Sequence, residues 1–119
     1  MVKLMYGTTN RLLRANLTDG KIKTEMLSEE VVKRFLGGKC LGAKILYDEL
    51  EPGIDPLGPE NKLVFAAGPL TGAPFPGNSR HVVMAKSPVT GGWGESHAAG
   101  FFGPELKCAG YDAVIVEGR

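Results

Sequence analysis

Apolar positions in this chain follow two rhythms, and the change between them divides the sequence. Residues Arg11 to Leu17 (RLLRANL) and Lys21 to Met26 (KIKTEM) are short mixed runs on either side of Thr18-Asp19-Gly20. Asp-Gly between strand-like runs predicts a β-hairpin, because both residues tolerate the positive φ that such turns require. From Ser28 onward the spacing becomes helical. Val31, Val32, Phe35 and Leu36 recur on one stripe, Ser28 is placed to cap the first turn, and Glu29 and Glu30 sit where the helix dipole favours negative charge. Gly37-Gly38 stops this helix. A second helix is predicted from about Cys40 to Leu50, with Leu41, Ile45, Leu46 and Leu50 on its buried stripe and Pro52-Gly53 ending it.

Beyond Pro52 the helical rhythm disappears. The string IDPLGPEN (54–61) is too rich in proline to continue a helix and reads as an ordered surface crossing. LVFAA (63–67), HVVMA (81–85) and AVIVE (113–117) are continuous apolar runs, short enough and bounded by turn residues so as to read as buried strands. Three such strands, a hairpin and two helices define an α+β domain rich in β-sheet. At 119 residues the chain is one domain, and its stop directly after a strand leads us to expect the N-terminal piece of something longer.

Composition narrows the functional classes. Fourteen Lys and Arg against thirteen Asp and Glu, with no basic or acidic block, give no electrostatic footprint for nucleic acid or an anionic membrane. Charges at Lys3, Arg11 and Arg14 break the N-terminal apolar residues, so no signal peptide or membrane span is drawn and a cytoplasmic protein is expected. Cys40 and Cys108 stand far apart, with no C-x-x-C and no zinc-type histidine spacing; they are expected to be small buried residues.

The anomaly is glycine, seventeen residues of it, eleven of which lie with all eight prolines between Pro52 and Gly110. GAPFPGNS (72–79) approaches the phosphate-loop pattern but has Asn78 where lysine is needed, and a strand-like run follows where a helix should begin. GGWGESH (91–97) contains G-x-G but ends in His97 at the position where a dinucleotide fingerprint needs a small residue. A sharply turning loop is the plainer reading of that stretch. A bare backbone also lets a large planar or phosphorylated ligand lie on main-chain N–H and C=O groups. Arg80 would then be the charge partner, its fork matching phosphate, with a surface ion pair as the alternative. His97 has no second ligand at i+4 and no carboxylate at triad-like separation, so a hydrogen-bonded loop histidine is the ordinary assignment. Glu95 reads as a solvated loop carboxylate and Trp93 as a packing residue whose indole N–H needs one partner.

Taken in order, NRLLRANLTDGKI, FLGGKCLGAKILYDEL, DPLGPENKLVFAAGPLTG and KSPVTGGWGESHAAGFFGPELKCAGYDAVIVEG resemble the N-terminal domain of the tungsten-containing aldehyde ferredoxin oxidoreductases. The resemblance covers nearly the whole chain and implies a sheet-rich platform, residues 1–119, beneath a tungsten bis-pterin cofactor. It implies that Arg80 contacts the pterin. It also implies that the segment Glu95, Ser96, His97, Ala98, Ala99 and Gly100 supplies main-chain contacts, with the His97 backbone carbonyl on the magnesium that bridges the pterin phosphates. His97-Ala98-Ala99-Gly100 stands where Asn-Ser-Gly-Gly is usual, and Lys39-Cys40 where arginine and glycine are usual. The 4Fe-4S cysteines and acid–base residues of the family belong to later domains, so catalysis is expected only of a full-length enzyme that oxidises aldehydes to carboxylic acids with ferredoxin as acceptor. The remaining domains, ferredoxin and an aldehyde are the implied partners, and a homodimer is left open. The alternatives are the catalytic subunit of a tungsten aromatic acyl-CoA reductase and a non-catalytic fragment acting as a structural module.

Overall fold

The structure, a computed structural model, describes residues 7–119. Six strands form one mixed sheet: β1 (Arg11–Asn16), β2 (Lys21–Met26), β3 (Lys62–Ala67), β4 (His81–Lys86), β5 (Trp93–Ala98) and β6 (Ala113–Glu117). Their spatial order is β2-β1-β6-β3-β4-β5. Among the described residues β1 and β6 run parallel and every other neighbouring pair is antiparallel. Three helices accompany the sheet: α1 (Glu29–Phe35), α2 (Gly38–Glu49) and α3 (Phe102–Cys108).

The two faces of the sheet differ. Leu12, Val64, Ala66, Val82, Met84, Ala113 and Ile115 alternate onto one face and are buried beneath Val32 of α1 and Leu41, Ile45 and Leu46 of α2. Gly42 allows the closest approach of α2, since a Cβ there would stand 2.2 Å from Met84 Cε. On the opposite face α3 packs at one corner, where the Phe102 ring lies 5.7 Å from Phe65 and 4.7 Å from His81 between ring centroids. The rest of that face keeps Leu63, at 39% exposure, and half-buried Val83, Val114 and Val116.

The local signals act as chemistry requires. Ser28 caps α1 by accepting the Val31 N–H at 3.2 Å, and Asp19 accepts the Lys21 N–H in the hairpin turn, where Gly20 takes φ +68. The stripe of α1 ends one residue early. Leu36, expected on the buried face, is 65% exposed and lies in the turn after the helix. Both cysteines are exposed, so the expectation of small buried residues fails: Cys40 falls on the outer side of α2 and Cys108 at the free end of α3.

Two elements were not expected from the spacing. The stretch read as a turning loop is β5, an edge strand laid along β4 with His81 opposite Ala98 and Lys86 opposite Trp93. Helix α3 contains Gly103 and Pro104, residues of low helix propensity. Pro104 falls in the first turn, where backbone N–H groups have no intrahelical partner anyway. Gly103 is required there because a Cβ would come within 2.9 Å of Ser79 O and Thr71 Cγ2.

Candidate functional site

One end of the sheet gathers the glycine-rich connections. The β4–β5 ladder closes with the His81–Ala98 pair, so Arg80 and Ala99 are the next residues along each strand at the same end. Ser79 Oγ accepts the Gly100 N–H at 3.4 Å, and Thr71 Oγ1 donates to the Arg80 carbonyl at 3.1 Å while accepting the Gly68 N–H. These bonds hold the backbone of Arg80 beside Ala98-Ala99-Gly100. Gly100 adopts φ +105, and a Cβ there would meet nothing within 4 Å. Its bareness reflects backbone conformation facing open space, unlike that of Gly103.

Hydrogen-bond alternation fixes which backbone groups of β5 are free. Ser87 N–H donates to Gly92 O at 2.7 Å, marking 87/92 as a bonded pair of the same register. In an antiparallel ladder bonded and non-bonded pairs alternate, so 85/94, 83/96 and 81/98 are bonded. Trp93, Glu95 and His97 therefore direct both backbone N–H and C=O toward the open edge. A carbonyl there is an oxygen ligand of the kind that magnesium prefers. Among the described residues no three His, Cys, Asp or Glu side chains gather into a metal-holding group, so main-chain oxygens are what this end of the sheet offers.

The side chains of the expected site divide between faces. Glu95 and His97 stand opposite Met84 and Val82 and so share the helix-covered face; Ser96 and Ala98 stand opposite Val83 and His81 on the other. Backbone, rather than a cluster of side chains, is what Glu95 to Gly100 have in common. The Arg80 side chain is exposed and forms no ion pair or hydrogen bond among the described residues, which removes the surface ion pair as its explanation.

Glu95 is exposed as expected but lies on a strand rather than in a loop, and its Oε1 accepts from Lys39 Nζ at 2.8 Å while its Oε2 accepts the Trp93 indole N–H at 2.9 Å. His97 Nε2 lies 3.6 Å from Glu95 Oε1, so this histidine too belongs to a strand and has a carboxylate beside it. The Lys39 hydrogen bond, then the indole N–H, hold the Glu95 carboxyl below its ordinary value. Lys39 was missed as a member of this group. It precedes Glu95 by 56 residues, and nothing in spacing relates the first turn of α2 to the edge strand.

The fold and its glycine-rich end are thus a six-stranded mixed sheet with helices over one face, an open backbone edge and an arginine unpaired among the described residues. Residues 12–119 match the family model described as aldehyde ferredoxin oxidoreductase, N-terminal domain. The chain belongs to that family. It is 49% identical over 115 residues to a tungsten-containing aldehyde ferredoxin oxidoreductase of Pyrococcus abyssi, covering 97% of this chain and 19% of the relative. It is 44% identical over 118 residues to an aliphatic sulfonate oxidoreductase, WOR-like subunit, of Pyrococcus furiosus, with the same two coverages. Among solved structures, the active-site complex BamBC of benzoyl coenzyme A reductase superposes with a TM-score of 0.94 at 40% identity, over 98% of this chain and 18% of that one. The chain thus spans about a fifth of the length of the relatives it matches.

Proposed function

We propose that residues 1–119 are the cofactor platform of a tungsten-containing oxidoreductase that oxidises aldehydes to carboxylic acids and passes the electrons to ferredoxin. The observation that carries this reading is the free edge of β5, where the His97 carbonyl faces outward beside the unpaired Arg80. When bound, the tungsten bis-pterin group supplies the two-electron redox chemistry, and the protein's share is binding and orientation.

The residues present fit such a group. The Arg80 guanidinium is free to fork onto a phosphate, the His97 carbonyl is free to ligate magnesium, and the bare backbone from Ala98 to Gly100 admits a flat ring close to the main chain. The replacement of asparagine by His97 keeps that carbonyl. Ser96 and Glu95 complete the strand that carries it. The 4Fe-4S cluster and the groups that move protons belong to the remaining domains of a longer, cytoplasmic protein. No described helix is long and apolar enough to cross a membrane.

The test is the full reading frame expressed in a host supplied with tungstate. Purified protein carrying tungsten, pterin and magnesium, and reducing viologen on addition of aldehydes, supports the reading. Protein free of both metal and pterin from a competent host overturns it.

The likeness to the benzoyl coenzyme A reductase complex favours a second reading, the catalytic subunit of an aromatic acyl-CoA reductase. Turnover with an aromatic acyl-CoA but with no aldehyde would select it.

A further inference from the structure

The corner between α1 and α2 is held in a conformation that a leucine adopts at a cost. Leu36 has φ 62 and ψ −65, and the Gly37 N–H donates to Phe35 O at 2.7 Å, closing a γ-turn of the rare positive-φ kind. With the Leu36 side chain 65% exposed, burial returns little for that strain. Immediately afterwards a Cβ on Gly37 would come 3.1 Å from Ala67 O, so α2 begins pressed against the end of β3. Lys39, the second residue of α2, leaves this corner and reaches Glu95.

Strand β5 needs such a tether. It is bonded to the sheet through β4 alone, and every residue in it but Gly94 is exposed, so core packing does not fix its position. The Lys39–Glu95 ion pair ties its middle to α2, while the Trp93 indole N–H, on the same strand, orients the carboxylate that Lys39 grips. Two residues beyond Glu95 lies the His97 carbonyl.

We propose that Lys39 and Glu95 are positioning residues. Their ion pair clamps the edge strand to the first turn of α2 and so sets where the His97 carbonyl and the Ala98–Gly100 backbone stand relative to Arg80. This rests on the platform reading, and it assigns a role to the corner residue at which the chain departs from its family's usual arginine. An exposed ion pair contributes little to global stability, so the effect of the clamp is local.

The experiment compares full-length wild type with Lys39→Gln, Glu95→Gln, Lys39→Arg and the charge swap Lys39→Glu with Glu95→Lys. Amide hydrogen exchange of the metal-free proteins and the tungsten and pterin content of proteins from a tungstate-fed host are both read. The two glutamine variants are expected to exchange about tenfold faster at the bonded amides of Ser96, Ala98 and Gly100, with protection elsewhere and Tm unchanged, and to hold several-fold less tungsten. Lys39→Arg is expected to retain wild-type values and the charge swap to restore slow exchange. Unchanged exchange in both glutamine variants overturns the clamp, as does an equal loss of protection throughout the domain. Faster exchange with full cofactor content overturns the positioning role, whereas wild type free of tungsten and pterin sinks the platform reading instead.

Discussion

Lys107 Nζ lies 2.8 Å from Asp112 Oδ1, joining α3 to the residue that opens β6. Asp112 is 3% exposed, and the same carboxylate accepts the backbone N–H groups of Thr9 and Asn10 at 3.0 to 3.1 Å. One acid therefore ties the entry to β1, the end of α3 and the start of the central strand. Asp112→Asn removes the charge but keeps the shape. It should cost about 2–3 kcal/mol, because a part-buried ammonium and two amides lose a charged acceptor together. Urea unfolding of the two proteins checks it.

Arg80→Ala should separate cofactor loading from folding. The guanidinium has no partner within the described residues, so its loss should move folding stability by less than about 0.5 kcal/mol. Tungsten and pterin content should fall several-fold. Metal analysis beside a thermal melt reads both, and equal losses would make Arg80 structural.

Glu117 supplies a pH dependence with a definite sign. Burial acts to raise its pKa, but hydrogen bonds and charge from Lys62 and Arg14 outweigh this and leave the carboxyl below its ordinary value. A depressed folded pKa contributes stability that is complete above the unfolded value of about 4.3 and is lost as pH falls through the folded value. Glu117→Gln should thus be less stable than wild type at about pH 6, with the gap narrowing as pH falls below the unfolded value. Denaturant midpoints across an acid pH series measure it.

Gly42 and Met84 should behave as a coupled pair. Alanine at position 42 gains about 1 kcal/mol of helix propensity, yet its Cβ would overlap a methionine that is 1% exposed. Overpacking a filled core costs about 1–3 kcal/mol, so Gly42→Ala should be destabilising. Adding Met84→Val should recover most of the loss, and a double-mutant cycle would show non-additivity.

Leu36→Gly is expected to be neutral or stabilising, against the usual penalty for introducing glycine. Relief of a strained non-glycine conformation, about 1–3 kcal/mol, exceeds the roughly 0.5–1 kcal/mol of added unfolded-chain entropy. The Tm of the variant decides it.

Elements with a buried face were legible from residue order. The strands at 62–67, 81–86 and 113–117 announced themselves because their apolar residues are packed. The hairpin and α1 were marked by Asp19-Gly20 and Ser28, whose side chains make the bonds expected of them. Strand β5 was silent because neither of its faces is buried, so no apolar alternation exists to read. Helix α3 was hidden by Gly103 and Pro104, which are there for steric fit and first-turn tolerance. For the site, the resemblance supplied Arg80 and the segment from Glu95 to Gly100. The Lys39 contact depends on tertiary geometry that no short-range pattern encodes.

Among the described residues the one parallel pairing joins β1 to β6: Leu12 lies opposite Ala113, about a hundred positions later. During synthesis the β1–β2 hairpin therefore emerges early but has to wait, one edge open, until β6 arrives to fill the gap between β1 and β3. Pairings of such long sequence separation form slowly. A nascent chain stalled before residue 113 would hold two unjoined half-sheets, each exposing strand edges, and this window is where a chaperone would most usefully act.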